Sequence, residues 1–235
     1  MKKTAIYGAL LLALPGCAGQ QAQPAPFVYA DFVSAKELPY DSPPQVIYRI
    51  DDHRFISLER YRDCQHGETF YNDTLQGIRK SFGRGFRENY QGRLIIADST
   101  GKNLAFPASL PPHTACNDRG CTMYIAVSTD GGRTVQSIRY MRSFDPFSDS
   151  KDFTIIVSED ALYVGEKISD TTGKMSVDKH PLIPGYRYGE GGPLPEGRKI
   201  ERGVALPVGL RTPSGQDRYS CDASIRPTNP DAPLK

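Results

Sequence analysis

Between residues 45 and 164 apolar side chains return at every second position in short runs. Each run ends in turn residues, the mark of half-buried strands. Residues 45–50 and 54–58 read as two strands joined at Asp51-Asp52-His53. Residues 94–98 and 103–106 flank the turn Ser99-Thr100-Gly101-Lys102. Met123, Ile125 and Val127 alternate with Tyr124, Ala126 and Ser128; residues 129–132 turn the chain and 134–142 return. Residues 153–157 and 162–164 repeat the pattern around Ser158-Glu159-Asp160. Residues 68–82 are predicted as a helix, although the period is imperfect and Gly77 interrupts it. Beyond Pro181 the chain is rich in Pro, Gly and charge. Residues 204–210 are more apolar, but Pro207 bars them from a central strand. The predicted fold is mainly β: an antiparallel sandwich or a partial propeller-like sheet, or α+β if the one helix forms. The folded domain is expected over 45–221, with a disordered tail over 222–235.

Composition narrows the function. With 22 Gly and 19 Pro in 235 residues, a helical bundle is disfavoured. A net charge of +2 makes no general case for nucleic acid or for an anionic membrane surface. No apolar run long enough to cross a bilayer follows the N-terminus.

The first residues point to export. Lys2 and Lys3 precede a short apolar run, residues 5–14, of signal-peptide length. Leu14-Pro15-Gly16-Cys17 resembles the bacterial lipobox, with Pro15 in place of the commoner small residue. The resemblance implies cleavage after residue 16 and acyl chains on Cys17, enough for stable anchoring. Ala18, where an inner-membrane lipoprotein would carry aspartate, implies the periplasmic face of the outer membrane. Residues 17–44, rich in Gln, Ala and Pro, read as a semi-extended tether.

Four further cysteines, Cys64, Cys116, Cys121 and Cys221, suit an oxidising compartment and allow three disulfide pairings. Cys116 and Cys121 flank a turn-rich Asn-Asp-Arg-Gly, which favours a bridge there and leaves Cys64 for Cys221. Zinc is disfavoured because a lone Cys-x4-Cys, even with His113 nearby, lacks a fourth ligand. No cofactor or metal is expected.

Catalytic patterns are missing: there is no Gly-x-Ser-x-Gly elbow, no His-Glu-x-x-His and no Walker loop. Asp51-Asp52-His53 is not expected to make a triad, since neighbours on a turn should not face one another. Ser128, Asp130, Gly132 and Thr134 resemble the Asp-box of sialidases, with Val135 replacing its usual aromatic residue. That box is a turn-forming element, and the glycan-hydrolase reading rests on it alone. Binding is better signalled. Tyr140, Arg142, Phe144, Phe147 and Asp149 form one aromatic and charged loop, and Tyr186, Arg187 and Tyr188 another. Such residues are enriched at binding hot spots.

Set beside the lipobox, residues 44–55 (PQVIYRIDDHRF), 124–134 (YIAVSTDGGRT), 140–147 (YMRSFDPF), 153–157 (FTIIV) and 163–168 (YVGEKI) are similar to the type VI secretion lipase-immunity lipoproteins, the partners of class-three antibacterial lipases. The resemblance covers residues 44–185. It implies a non-enzymatic periplasmic protein that binds and neutralises a phospholipase effector. A structural or assembly lipoprotein of the envelope is the competing reading.

Overall fold

The computed structural model describes residues 40–189 and 192–229; Cys17 and most of the tether lie outside them. The chain runs through β1 (Gln45–Arg49), β2 (Arg54–Glu59), β3 (Glu68–Asp73) and β4 (Ile78–Arg84), then β5 (Arg93–Ile96) and β6 (Leu104–Pro107). It continues through β7 (Cys121–Ser128), β8 (Gln136–Ser143), a one-turn helix α1 (Pro146–Asp149), β9 (Phe153–Val157), β10 (Ala161–Lys167), β11 (Met175–Pro181) and a short β12 (Glu201–Arg202). Three sheets result. The first is a meander in the order β1-β2-β3-β4, the second is ordered β12-β11-β10-β9-β5, and the third is β6-β7-β8. The mainly β expectation holds.

Two features differ from the sequence reading. The predicted helix over 68–82 is the hairpin β3–β4. Thr69, Phe70 and Tyr71 favour a pleated surface over a helix. Asp73 Oδ1 then accepts the amides of Leu75 (3.0 Å) and Gln76 (2.9 Å), and Gly77 takes a positive φ of 65° to complete the turn. The glycine that spoiled the helical period is the turn residue. The second difference is that β5 and β9 pair in parallel. Both are nearly continuous apolar runs, and all five residues of β9 are buried, as strands covered on both faces must be. The third sheet forms in the crossover between them.

Among the described residues no ladder joins the three sheets; a file of aromatic side chains and a C-terminal strap link them. Tyr48 of β1 meets Tyr219 edge-on at 5.5 Å, and Tyr219 meets Tyr90 at 6.2 Å. Tyr90 meets Tyr140 of β8 at 6.3 Å, and Tyr140 meets Phe153 of β9 at 5.0 Å. This file of five rings touches every sheet. Each edge-to-face pair adds about 0.5–1.5 kcal/mol beyond burial. Hydroxyls extend the links: Tyr48 donates to the Leu94 carbonyl (2.8 Å) and Tyr90 lies within 3.0 Å of the Phe153 carbonyl and 3.1 Å of the Arg93 carbonyl.

Tyr219 arrives on a C-terminal strap. The Ser214 and Ser220 amides donate to the carbonyls of Ile50 (2.9 Å) and Ile47 (2.8 Å), flanking β1. The Leu94 amide of β5 donates to the Asp217 carbonyl (2.8 Å). The strap therefore bridges the outer strands of two sheets. A disulfide between Cys64 and Cys221, 157 residues apart, fastens its end, and a second joins Cys116 to Cys121.

Both expected termini of the domain shift outward. Residues 222–229, expected to be disordered, are held: the Asp222 amide donates to Gln45 Oε1 (2.8 Å) and the Thr228 amide to Asp41 Oδ1 (2.7 Å). Residues 41–43, assigned to the tether, also join the fold. The Tyr61 amide donates to Ser42 Oγ (2.9 Å) and its hydroxyl to the Pro43 carbonyl (2.8 Å). Short polar side chains make these contacts, which hydrophobic patterning does not register.

The Tyr219 hydroxyl is buried with no hydrogen-bond partner among the described residues, whereas that of Tyr90 has two carbonyls. Tyr90→Phe should therefore cost about 1–2 kcal/mol in urea unfolding, and Tyr219→Phe should be neutral or slightly stabilising. Equal losses in the two variants would contradict this assignment.

Candidate functional site

The Asp-box connects β7 to β8 and sets the direction of β8. Ser128 Oγ accepts the Gly132 amide (2.8 Å) and donates to Asp130 Oδ1 (2.7 Å). Asp130 accepts the Thr134 amide (2.9 Å) and hydroxyl (2.7 Å). Burial pushes the Asp130 carboxyl up, but these bonds outweigh it and hold the group below the ordinary carboxylate range. Gly132 has φ +93°, and a Cβ there would lie 2.3 Å from the Tyr71 ring. The box is thus committed to its own turn and to packing on the first sheet.

Beyond the box, β8 forms one wall of a groove of about 990 Å³. Among the described residues, other hollows include four of about 180–600 Å³. Across the groove from β8 the lining comes from β11, with Asp178, His180 and Pro181, and from Val164 of β10; the segment around Tyr186 and Tyr188 completes it. Tyr188 anchors that segment: its hydroxyl donates to the Pro181 carbonyl (2.7 Å) and accepts the Ile183 amide (2.6 Å). Its own amide donates to Gln136 Oε1 on β8, and its ring meets Tyr186 edge-on at 4.9 Å. The Tyr186 hydroxyl donates to the Gly192 carbonyl (2.9 Å).

The structure brings together four of the eight predicted partner-binding residues, Tyr140, Arg142, Tyr186 and Tyr188. Tyr140 contributes only part of its ring. Its hydroxyl donates to the Ala108 carbonyl (2.7 Å), and burial pushes its phenol far up, so it is mainly a core anchor. Phe144 stands 69% exposed just past β8. Phe147 turns to another hollow, against Cys64, Tyr219 and Cys221. Asp149 lies at the end of α1 and accepts the Ser143 hydroxyl. Arg187 lines a separate hollow with Asp130 and Thr134.

Sequence reasoning missed Tyr124, Arg139, Asp178, His180, Ile200 and Arg202, which also line the groove. Tyr124 and Arg139 face each other across the β7–β8 register, and Tyr124 is 46% exposed. A large aromatic at the polar phase of a strand was the available signal. Arg202 lies 4.0 Å from Asp178, whereas neither Arg139 nor Arg142 has an acidic partner within that distance among the described residues. Burial is the main influence on His180 and holds it below the ordinary imidazole value; Asp178 pulls it up and Arg202 reinforces the depression. At neutral pH the imidazole is uncharged, and the groove carries a net positive charge.

The turn at Asp51-Asp52-His53 corrects another expectation. His53 Nδ1 lies 2.6 Å from Asp52 Oδ1 and 3.3 Å from Asp51 Oδ1, so these neighbours do converge. The tight turn folds the ring back over both carboxylates. Asp51 is already engaged by Arg54 Nε (2.7 Å) and by the Arg54 amide (2.7 Å), a structural use.

A profile of the T6SS Tli3 immunity protein family matches residues 40–166, more than half of the chain. The chain belongs to this family. It is a type VI secretion immunity protein. A search of curated proteins finds no match. The matched region includes β7, β8 and nearly all of β10, whereas the β11 wall and the Tyr186–Tyr188 segment of the groove lie beyond it. Among the described residues, no helix is long and apolar enough to cross a membrane.

Two outcomes follow from the groove. Gly189 has φ +85°, and a Cβ there would sit 2.7 Å from the Ser137 carbonyl oxygen. Gly189→Ala should lift the segment from β8, with faster tryptic cleavage at Arg187 and little change in the urea midpoint. Unchanged cleavage would show that the segment is held otherwise. His180 is harder to protonate folded than unfolded. Its contribution to stability is complete above the ordinary imidazole pKa of 6.5 and is lost as pH falls below it. Urea unfolding of His180→Gln should lose less stability than wild type between about pH 7 and pH 5; parallel losses would refute the assignment.

Proposed function

We propose that this immunity protein is a lipoprotein held by acyl chains on Cys17 at the periplasmic face of the outer membrane. There it neutralises a phospholipase effector of the type VI secretion system by binding it. The family match supports effector neutralisation, the lipobox-like Leu14-Pro15-Gly16-Cys17 supports the anchor, and the groove supplies a surface of the right chemistry. Tyr124, Tyr186 and Ile200 offer apolar area, and Arg139 and Arg142 offer charge without competing acids. Tyr and Arg dominate the energetics of protein interfaces. The chain as a whole is nearly neutral, so attraction must come from a local patch of this kind. Blocking the lipase by occupancy needs no catalytic group, which accords with an Asp130 committed to its own turn. The two disulfides suit the periplasm.

The direct test is survival. Cells exporting the lipase encoded beside this gene to the periplasm should die without the protein and grow with it. Folded, exported protein that rescues nothing would refute the immunity reading for that lipase. Cys17→Ala should move the protein from the membrane to the soluble fraction; unchanged fractionation would refute the anchor while leaving the immunity reading to the survival assay.

A further inference from the structure

Six successive residues, 137–142, line the groove. Successive strand side chains point to opposite faces of a sheet. A hollow confined to one face would be lined by every second residue away from the bulge at Tyr140, so the unbroken run means that the groove takes in the outer edge of β8 as well as the face that carries Tyr124 and Arg139. That edge is open. In its sheet β8 pairs with β7 on one side, and among the described residues no strand lies on the other. The segment after Pro181 touches only the first two residues of the strand, through the Tyr188 amide on the Gln136 side chain and through Gly189, which packs against the Ser137 carbonyl. Three of the other edges are managed differently. The C-terminal strap bridges β1 and β5, and β4 carries Arg79, Lys80 and Arg84, charges that discourage pairing.

We infer that β8 is the docking strand: an extended, acidic segment of the effector adds to the third sheet along residues 137–142, its carboxylates meeting Arg139 and Arg142. The inference rests on the effector-binding reading above and specifies its mode. Main-chain pairing supplies affinity in such additions, and flanking side chains supply choice. The alternative occupant is a second copy of this chain, with β8 against β8 about a two-fold axis. That arrangement sets Arg139 and Arg142 of one copy near those of the other, and like charges facing across strands destabilise the pair. The same arginines that repel a second copy attract an acidic strand.

The test uses the full chain and the lipase encoded beside it. Amide hydrogen exchange is followed residue by residue, free and in the complex. Pairing protects the outward-pointing amides of 137–142, alternate ones on either side of the bulge at Tyr140, because the others already bond to β7. The double variant Arg139→Glu/Arg142→Glu should keep its urea midpoint and bind at least about tenfold more weakly, with the loss shrinking as salt rises. A tight complex in which 137–142 exchange as in the free protein would overturn strand addition and leave effector binding intact. Protection that grows with protein concentration in the absence of lipase would overturn it in favour of self-pairing. Failure to form any complex with a lipase that the protein nonetheless neutralises in cells would overturn both the docking strand and the binding mechanism.

Discussion

Three sheets without a common ladder can share one core only if side chains bridge them, and here a file of aromatic rings does so. Tyr48, Tyr219, Tyr90, Tyr140 and Phe153 run from the first sheet through the third to the second. The chain has no tryptophan, so tyrosine supplies both the buried area and the polar end. The polar ends matter as much as the rings. Tyr48, Tyr90 and Tyr140 each reach a carbonyl, and a buried hydroxyl without one would cost much of what the ring contributes. Tyr219 is the exception, buried with its hydroxyl unsatisfied. Its ring joins Tyr48 to Tyr90, which explains why the fold retains it.

This arrangement makes the C-terminus part of the core. Residues 212–221 have almost no regular structure, yet they deliver the central ring, hydrogen-bond to both β1 and β5 and end in the Cys64–Cys221 bridge. A strap of this kind orders many residues for few apolar contacts. The bridge offsets part of that cost by constraining the unfolded chain across a long loop, on the order of 4–5 kcal/mol in the chain-entropy account. An oxidising compartment therefore stabilises the fold. With two sheet edges bridged by the strap, the outer edge of β8 stands apart as one left facing a groove.

The legibility of this architecture in the sequence follows from its physics. Strands with one wet face announce themselves by alternation, and β1, β2, β7 and β8 were readable on that ground. The β3–β4 hairpin was not: its turn depends on the Asp73 carboxylate and on Gly77, and a helical period laid across both gives a false match. The β5–β9 pairing was hidden because a buried apolar run carries no directional signal. The strap was hidden because its contacts are made by Ser, Thr, Gln and backbone, which read as loop. The groove was half visible. Tyr140, Arg142, Tyr186 and Tyr188 stood out by residue type, but loops were favoured over strands, so Arg139 and Tyr124, on the wet face of the β7–β8 pair, were passed over. Phe147 and Asp149, which also stood out by residue type, lie apart from the groove on the one-turn helix α1, where Phe147 lines a different hollow.

The two walls of the groove differ in how far the family pattern reaches them. The match ends at residue 166, so β7 and β8 lie within it while β11, Ile200 and Arg202 lie outside. A pairing edge is a general device, since backbone amides and carbonyls do not distinguish one partner from another. Discrimination has to come from side chains that accept one segment and reject others. Asp178, His180 and Arg202 on the far wall would do that on the proposed reading, with the imidazole neutral and the Asp178 carboxylate facing Arg202. On the proposed reading, β8 would carry the mode of binding common to the family. The irregular, glycine-rich segment after Pro181 would carry the choice of effector, and it can vary without disturbing the ring file that holds the sheets together.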